Sequence, residues 1–157
     1  MYLKNIRIDG FKSFADKTNF ELKPGITAIV GPNGSGKSNI VDAIKWVLGE
    51  QSIKSLRGSN NMTDVIFSGT EKRDGMNKAS VTLTFDNSDH YLNSEFREIE
   101  VKRCVYKSGD NEYFLKADKN GFITFLKNSY RNNKYALDIT NYSELKDSQF
   151  LESIFKI

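Results

Sequence analysis

Eight consecutive residues restrict the folds open to this chain. Gly31-Pro32-Asn33-Gly34-Ser35-Gly36-Lys37-Ser38 fits the pattern G-x-x-x-x-G-K-[ST] without a mismatch. Phosphate oxygens are held when several backbone N–H groups reach them at once, and a compact Gly-rich loop presents such a nest. Gly34 and Gly36 avoid the Cβ clashes of so tight a bend. A helix beginning near Lys37 turns its positive end toward the same phosphates. Lys37 adds a full charge for the β and γ oxygens, and the Ser38 hydroxyl is a ligand for Mg²⁺. The flanks suit the motif. Ile26-Thr27-Ala28-Ile29-Val30 reads as a strand buried on both faces. Ile40, Val41, Ile44, Val47 and Leu48 then recur at helical spacing, and Gly49 sits where a helix ends. The motif implies nucleoside triphosphate binding in an α/β lobe and does not by itself imply hydrolysis.

The rest of the chain reads mainly as strands. Leu3 to Ile8 forms one, with Ile6 and Ile8 on one face, and Phe20 with Leu22 marks a second. Gly10 bends the chain into a short turn over Phe11, Lys12, Ser13 and Phe14. Asp64 to Phe67 reads as a short strand and Glu71 to Lys78 as an exposed loop. Ser80 to Phe85 alternates, with Val81, Leu83 and Phe85 on one face. Ile99, Val101 and Val105 mark a further strand, and Tyr113-Phe114-Leu115 closes a hairpin over Ser108 to Asn111. From about Lys116 the composition changes. Residues 116–157 form a divergent tail rich in Asn, Lys and Tyr, with a helix expected over 143–156.

Composition narrows the function classes. Of 157 residues, 38% are hydrophobic and 27% charged, which excludes a disordered tail. No apolar run approaches membrane-spanning length, and the start MYLKNIRIDGF has no apolar stretch of the signal-peptide type. The single cysteine excludes an internal disulfide and fits a reducing cytoplasm. A net charge of +3 permits an acidic partner without selecting one. Cys104, in an alternating strand, reads as structural. His90 has neither a second histidine nor a cysteine pair to join it in metal binding. Asp42 reads as a solvated or locally bonded helix residue, and neither Asp64 nor Asp86 follows the apolar run of a metal-holding Walker B carboxylate. Lys127, Tyr130, Arg131, Lys134 and Tyr135 mix basic and aromatic residues, as single-strand binders do, but the simpler reading is a solvated loop.

Several segments together resemble one family. Gly10-Phe11-Lys12-Ser13-Phe14, GPNGSGKSNI from Gly31 to Ile40, and Val41 to Gln51 resemble the N-terminal head lobe of bacterial SMC (structural maintenance of chromosomes) proteins. Lys54 to Gly58, Asp64 to Gly69, Val81 to Asn87 and Arg103 to Gly109 continue the likeness, which spans Met1 to Leu115. The resemblance implies a P-loop NTPase fold of the ABC-ATPase kind, an N-terminal lobe with an antiparallel, β-rich side sheet and no coiled coil in this stretch. It implies that Gly31, Pro32, Asn33, Gly34, Ser35, Gly36, Lys37, Ser38 and Asn39 hold ATP, with Ser38 on Mg²⁺. Lys12 and Ser13 would reach the nucleotide from the side, and Arg57 would contact DNA in the family's arginine loop. On residues alone, Arg57 reads as a solvated loop cation. The implied partners are a C-terminal SMC head lobe, a second SMC head, a kleisin-type subunit and DNA, with no membrane. The implied setting is the cytoplasm, at the nucleoid.

The departures carry as much information. The family pattern continues with Ile-Ser-Gln-Gly-Lys, whose glutamine positions water, and then a long coiled coil. Ser148-Gln149 is the nearest match, but Phe150 and Leu151 replace Gly-Lys, so Gln149 is the single catalytic candidate. The signature Ser-Gly-Gly and the Walker B carboxylates belong to a C-terminal lobe absent from this sequence. The expectation is an SMC head fragment, truncated or frame-altered after about residue 115, or one half of a split protein, inactive as an ATPase until completed. Two alternatives stand beside it. One is a self-sufficient small P-loop NTPase or kinase with its base in the last third. The other is a RecF/RecN-type repair ATPase head, which the text from Glu50 to Gly69 disfavours.

Overall fold

The computed structural model describes residues 1–48, 61–91, 96–119, 122–123, 127–131 and 134–138. Ten strands, one α-helix and one 3-10 turn make up these residues. The strands are β1 (Tyr2–Asp9), β2 (Thr18–Glu21), β3 (Gly69–Thr70), β4 (Arg73–Asp74), β5 (Lys78–Asp86), β6 (Glu98–Tyr106), β7 (Asn111–Lys119), β8 (Phe122–Ile123), β9 (Lys127–Arg131) and β10 (Lys134–Asp138). The helix is α1 (Lys37–Val47), and the 3-10 turn spans Met62–Val65. An antiparallel sheet runs β10-β9-β7-β6-β5-β1-β2, with β8 on β7, and β3-β4 is a separate small hairpin.

Alternation in the sequence sets this sheet. Ile6 pairs with Leu83 and Ile8 with Val81, while Leu83 pairs with Val101 and Val81 with Arg103. Period-2 side-chain geometry therefore gathers Ile6, Ile8, Val81, Leu83, Val101 and Val105 on one face. Helix α1 packs on that face through Ile40, Ala43, Trp46 and Val47, all buried. The Trp46 ring lies 5.2 Å from the Phe11 ring and is fully buried. Burying an indole removes roughly 200 Å² from water, worth on the order of 5 kcal/mol. The helix that carries Lys37 and Ser38 is thus fixed by its far end.

Arg103 occupies an inward position on β6 and is 2% exposed. Its Nη1 donates to the Trp46 carbonyl at 2.7 Å and its Nε to Asn111 Oδ1 at 3.1 Å. The guanidinium lies 4.7 Å from the Trp46 ring and 4.6 Å from the Tyr113 ring. It therefore joins the last turn of α1, where carbonyls lack helical partners, to the middle of the sheet.

Five expectations need correction. Lys127, Tyr130, Arg131, Lys134 and Tyr135, read as a solvated loop, lie on β9 and β10, whose antiparallel ladder sets Lys134 opposite Arg131 and Tyr135 opposite Tyr130. Ile26 to Val30 is not a strand: Ile26 is 102% exposed and Val30 88%, with no ladder among the described residues. A β-branched run buried on both faces requires sheet neighbours on each edge, and the antiparallel sheet here supplies none. Asp64 to Phe67 is not a strand either. Asn61 and Asp64 form a reciprocal capping box that winds Met62–Val65 into a 3-10 turn. Within the expected loop Glu71 to Lys78, Arg73–Asp74 pairs with Gly69–Thr70. Arg73 also makes a two-pronged bond to Asp16, at 2.6 and 2.9 Å, which holds the Asp16 carboxyl below the usual carboxylate range. Asp42 is buried, not solvated, and its partner lies thirty residues away in sequence. By contrast, β1, β2, β5, β6 and the β6–β7 hairpin form as the alternation expects. No long helix or coiled coil occurs among the described residues. The expected helix 143–156 lies outside them.

Candidate nucleotide-phosphate site

The Gly-rich loop lies on the surface ahead of α1. Residues 31–35 are exposed, Gly36 is buried, and Ser38 faces solvent in the first helical turn. Two glycines shape the bend, Gly34 at φ 81° and Gly36 at φ 85°. Side-chained residues take such values at a cost of about 1–2 kcal/mol. Gly36 is the N-cap of α1 and offers no side chain to the helix's free N–H groups. The Asn39 N–H bonds the Gly36 carbonyl at 2.9 Å, and a helix start without a side-chain cap suits an anion. The Ser35 N–H donates to the Pro32 carbonyl at 3.3 Å and closes the loop. Lys37 Nζ folds back over it, donating to the Gly31 and Pro32 carbonyls at 2.6 Å each. Its ammonium therefore sits over the loop, where carbonyls that accept it can give way to phosphate oxygens.

The turn at residues 11–14 braces this loop from the side. Asn39 Nδ2 donates to Ser13 Oγ at 2.8 Å. A Cβ on residue 36 would stand 2.7 Å from that hydroxyl and 3.5 Å from the Phe14 ring. Lys12 Nζ donates to Asp42 Oδ2 at 2.7 Å. The same turn also holds the segment after the 3-10 turn, with the Lys12 N–H on the Val65 carbonyl at 2.7 Å and the Phe67 N–H on the Gly10 carbonyl at 2.8 Å. The structure thus brings together Lys12, Ser13, Gly31, Pro32, Ser35, Gly36, Lys37, Ser38 and Asn39. Arg57 and Gln149 lie outside the described residues.

Asp42 is the residue that sequence reasoning misjudged. It precedes Trp46 by one helical turn, so it shares the face of a fully buried residue of the helix, and that spacing was the available signal. Arg103 gave a similar signal, since it alternates with Val101 and Val105. Cys104 is buried as expected, and burial pushes its thiol up. No group of His, Cys, Asp and Glu able to hold a metal occurs among the described residues.

Loop, helix and covering antiparallel sheet together make the N-terminal part of a P-loop NTPase fold. Comparison with known proteins assigns the family. The chain belongs to the RecF/RecN/SMC N terminal domain family, whose pattern matches residues 2–143. It is 56% identical over 115 residues to the chromosome partition protein Smc of Lactiplantibacillus plantarum, covering 73% of this chain and 10% of that protein. The chain spans about a tenth of the length of the curated relatives it matches. A solved structure described as "Structural biochemistry of ATP-driven dimerization and DNA stimulated activation of SMC ATPases" superposes with a TM-score of 0.69 at 35% identity, covering 76% of this chain and 73% of that one. An Smc head bound to the C-winged helix domain of ScpA superposes with a TM-score of 0.70 at 37% identity, covering 76% of this chain and 37% of that one. The expected fold class is thereby borne out.

Proposed function

We infer that this chain supplies the ATP-binding half of an SMC-type head that serves chromosome condensation and segregation. The observation that carries the reading is the loop over residues 31–38, with Lys37 on its carbonyls and α1 uncapped behind it. In this reading the loop N–H groups and Lys37 hold the phosphates of ATP, and Ser38 holds Mg²⁺, which supplies charge neutralisation at the β and γ oxygens. Lys12, Ser13 and Asn39 flank the nucleotide, and Arg57 contacts DNA. Head engagement and hydrolysis require a C-terminal head lobe and a second head. A cradle that binds substrate and transition state alike does little for turnover. The similarity to a structure of ATP-driven SMC dimerization supports the second head, and that to an Smc head bound to ScpA supports a kleisin-type partner. The exposed Ile26 and Val30 support the lobe. A cytoplasmic setting at the nucleoid follows from the same reading.

The test is calorimetric titration with MgATP. The chain binds, Lys37→Ala loses most of the affinity, and neither hydrolyses ATP above a buffer blank. Adding a C-terminal SMC lobe in trans brings turnover that depends on Lys37. Unchanged affinity in Lys37→Ala refutes the phosphate site, and steady turnover by the chain alone refutes the half-head.

A further inference from the structure

One charged contact joins the residue 11–14 turn to α1 in a way the phosphate loop itself does not require. The Lys12 and Asp42 side chains, bonded at 2.7 Å, are 10% and 6% exposed. A buried pair returns little net stability, because desolvating both ions offsets their attraction. Lys12 also holds φ 48°, a left-handed value. For a side-chained residue that conformation costs about 1–2 kcal/mol. Observed strain beside a ligand loop is a reason to look for function there.

The geometry says what the pair can do. Asp42 lies four residues beyond Ser38 on α1, just over one turn or about 6 Å deeper along the axis. The Lys12 backbone is held higher, since its neighbour Ser13 bonds Asn39 and abuts Gly36 at the helix start. Asp42 therefore draws the ammonium inward from a backbone anchored at the level of the phosphate loop. A flexible four-carbon stem can carry that ammonium one helical pitch without backbone movement.

Resting on the nucleotide reading above, we propose that Asp42 is a positioning residue that competes with nucleotide phosphate for the Lys12 ammonium. Lys12 stays on Asp42 until phosphate oxygens take it, so Asp42 sets the affinity of the site through Lys12. Removing the carboxylate charge removes that competitor for the ammonium, whereas without the lysine the carboxylate, one turn deeper along α1, has no means of acting on the site.

Titration calorimetry of the whole chain with MgATP tests this. Asp42→Asn binds about tenfold tighter than the parent, within the usual range for coupled sites. In a Lys12→Met background the same substitution gives a much smaller gain. Asp42→Glu, which keeps the charge, returns affinity close to the parent value. An equal gain in both backgrounds means that Asp42 acts as a distant charge and overturns the proposal, as does no gain at all. A purely structural Asp42 lowers the melting temperature and leaves the affinity of the folded protein unmoved. A second readout needs no Asp42 variant. In nitrogen-15 spectra of lysine side chains, the Lys12 signal, identified by its loss in Lys12→Arg, shifts when MgATP is added. A Lys12 signal unmoved at saturating MgATP overturns the proposal. A parent chain with no response to MgATP sinks the nucleotide reading itself, and only a responding parent with an indifferent Asp42 sinks the positioning role alone.

Discussion

Gly34 and Gly36 share nearly the same backbone conformation, φ 81° and φ 85°, but not the same surroundings. Nothing lies within 4 Å of a Cβ built on Gly34, whereas one on Gly36 meets Ser13 Oγ at 2.7 Å and Phe14 at 3.5 Å. Gly34→Ala thus bears the left-handed backbone cost alone, about 1–2 kcal/mol. Gly36→Ala bears that cost and must displace a hydroxyl that Asn39 bonds at 2.8 Å. Losing that bond adds about 0.5–1.5 kcal/mol. The expected losses are roughly 1.5 kcal/mol for Gly34→Ala and 2.5 kcal/mol for Gly36→Ala. In a chain of this size each kcal/mol lowers the melting temperature by about 2–4 °C. Urea unfolding followed by the fluorescence of Trp46, the single tryptophan and fully buried, measures both. Ser13→Ala should cost less in the Gly36→Ala background than in the parent, because the clash has already displaced that hydroxyl. Equal losses for the two glycines, or strict additivity with Ser13→Ala, would refute the claim that the residue 11–14 turn braces the helix start.

Three further outcomes are expected. Arg103→Met loses the bonds to the Trp46 carbonyl and Asn111 and the contact with two rings. Its urea midpoint should report a loss of about 2–4 kcal/mol, and a loss below about 1 kcal/mol would contradict the latch. The double variant Ile26→Lys, Val30→Lys should leave the melting temperature unchanged, since both side chains are solvent-exposed. In sedimentation it should self-associate less than the parent, and it should fail to combine with a C-terminal head lobe; normal combination would separate this segment from lobe docking. Burial, with the Glu112 bond at 3.1 Å, pushes the Tyr106 hydroxyl up to about 12. Its stabilising effect is complete below the ordinary tyrosine value of about 10. That effect is lost as pH rises through about 12, so an alkaline ultraviolet titration should show a late tyrosine step that Tyr106→Phe removes.

What the sequence disclosed depended on where the cause of each structure lies. β1, β5 and β6 were legible because their alternating residues meet one shared face, a cause carried in each strand's own pattern. α1 was legible from its motif and its apolar spacing. Asp64 to Phe67 was not, because its 3-10 turn answers to the Asn61–Asp64 capping box, and Ile66 bridges Phe11 across the chain. Ile26 to Val30 has the composition of a central strand, and composition cannot report whether neighbouring strands are present. At the site, the loop and Lys37 were legible because phosphate chemistry dictates residue type at fixed spacing. Asp42 was not, because its character depends on Lys12, a residue thirty positions away.

The exposed Ile26 to Val30 segment leads directly into Gly31. The phosphate loop is thus anchored firmly at its exit, through α1, and weakly at its entry. Fixing backbone costs about 1–2 kcal/mol per residue, so whatever seats this entry segment lowers the entropy that phosphate binding must otherwise overcome. The reverse holds with equal force: phosphate that orders the loop leaves less ordering for the seating element to do. Thermodynamic linkage makes the two effects one quantity. If a docked lobe raises the affinity for MgATP by some factor, MgATP must raise the affinity for that lobe by the same factor. Such cooperativity needs no contact between lobe and nucleotide, because the shared cost of ordering one strand-length of chain is enough.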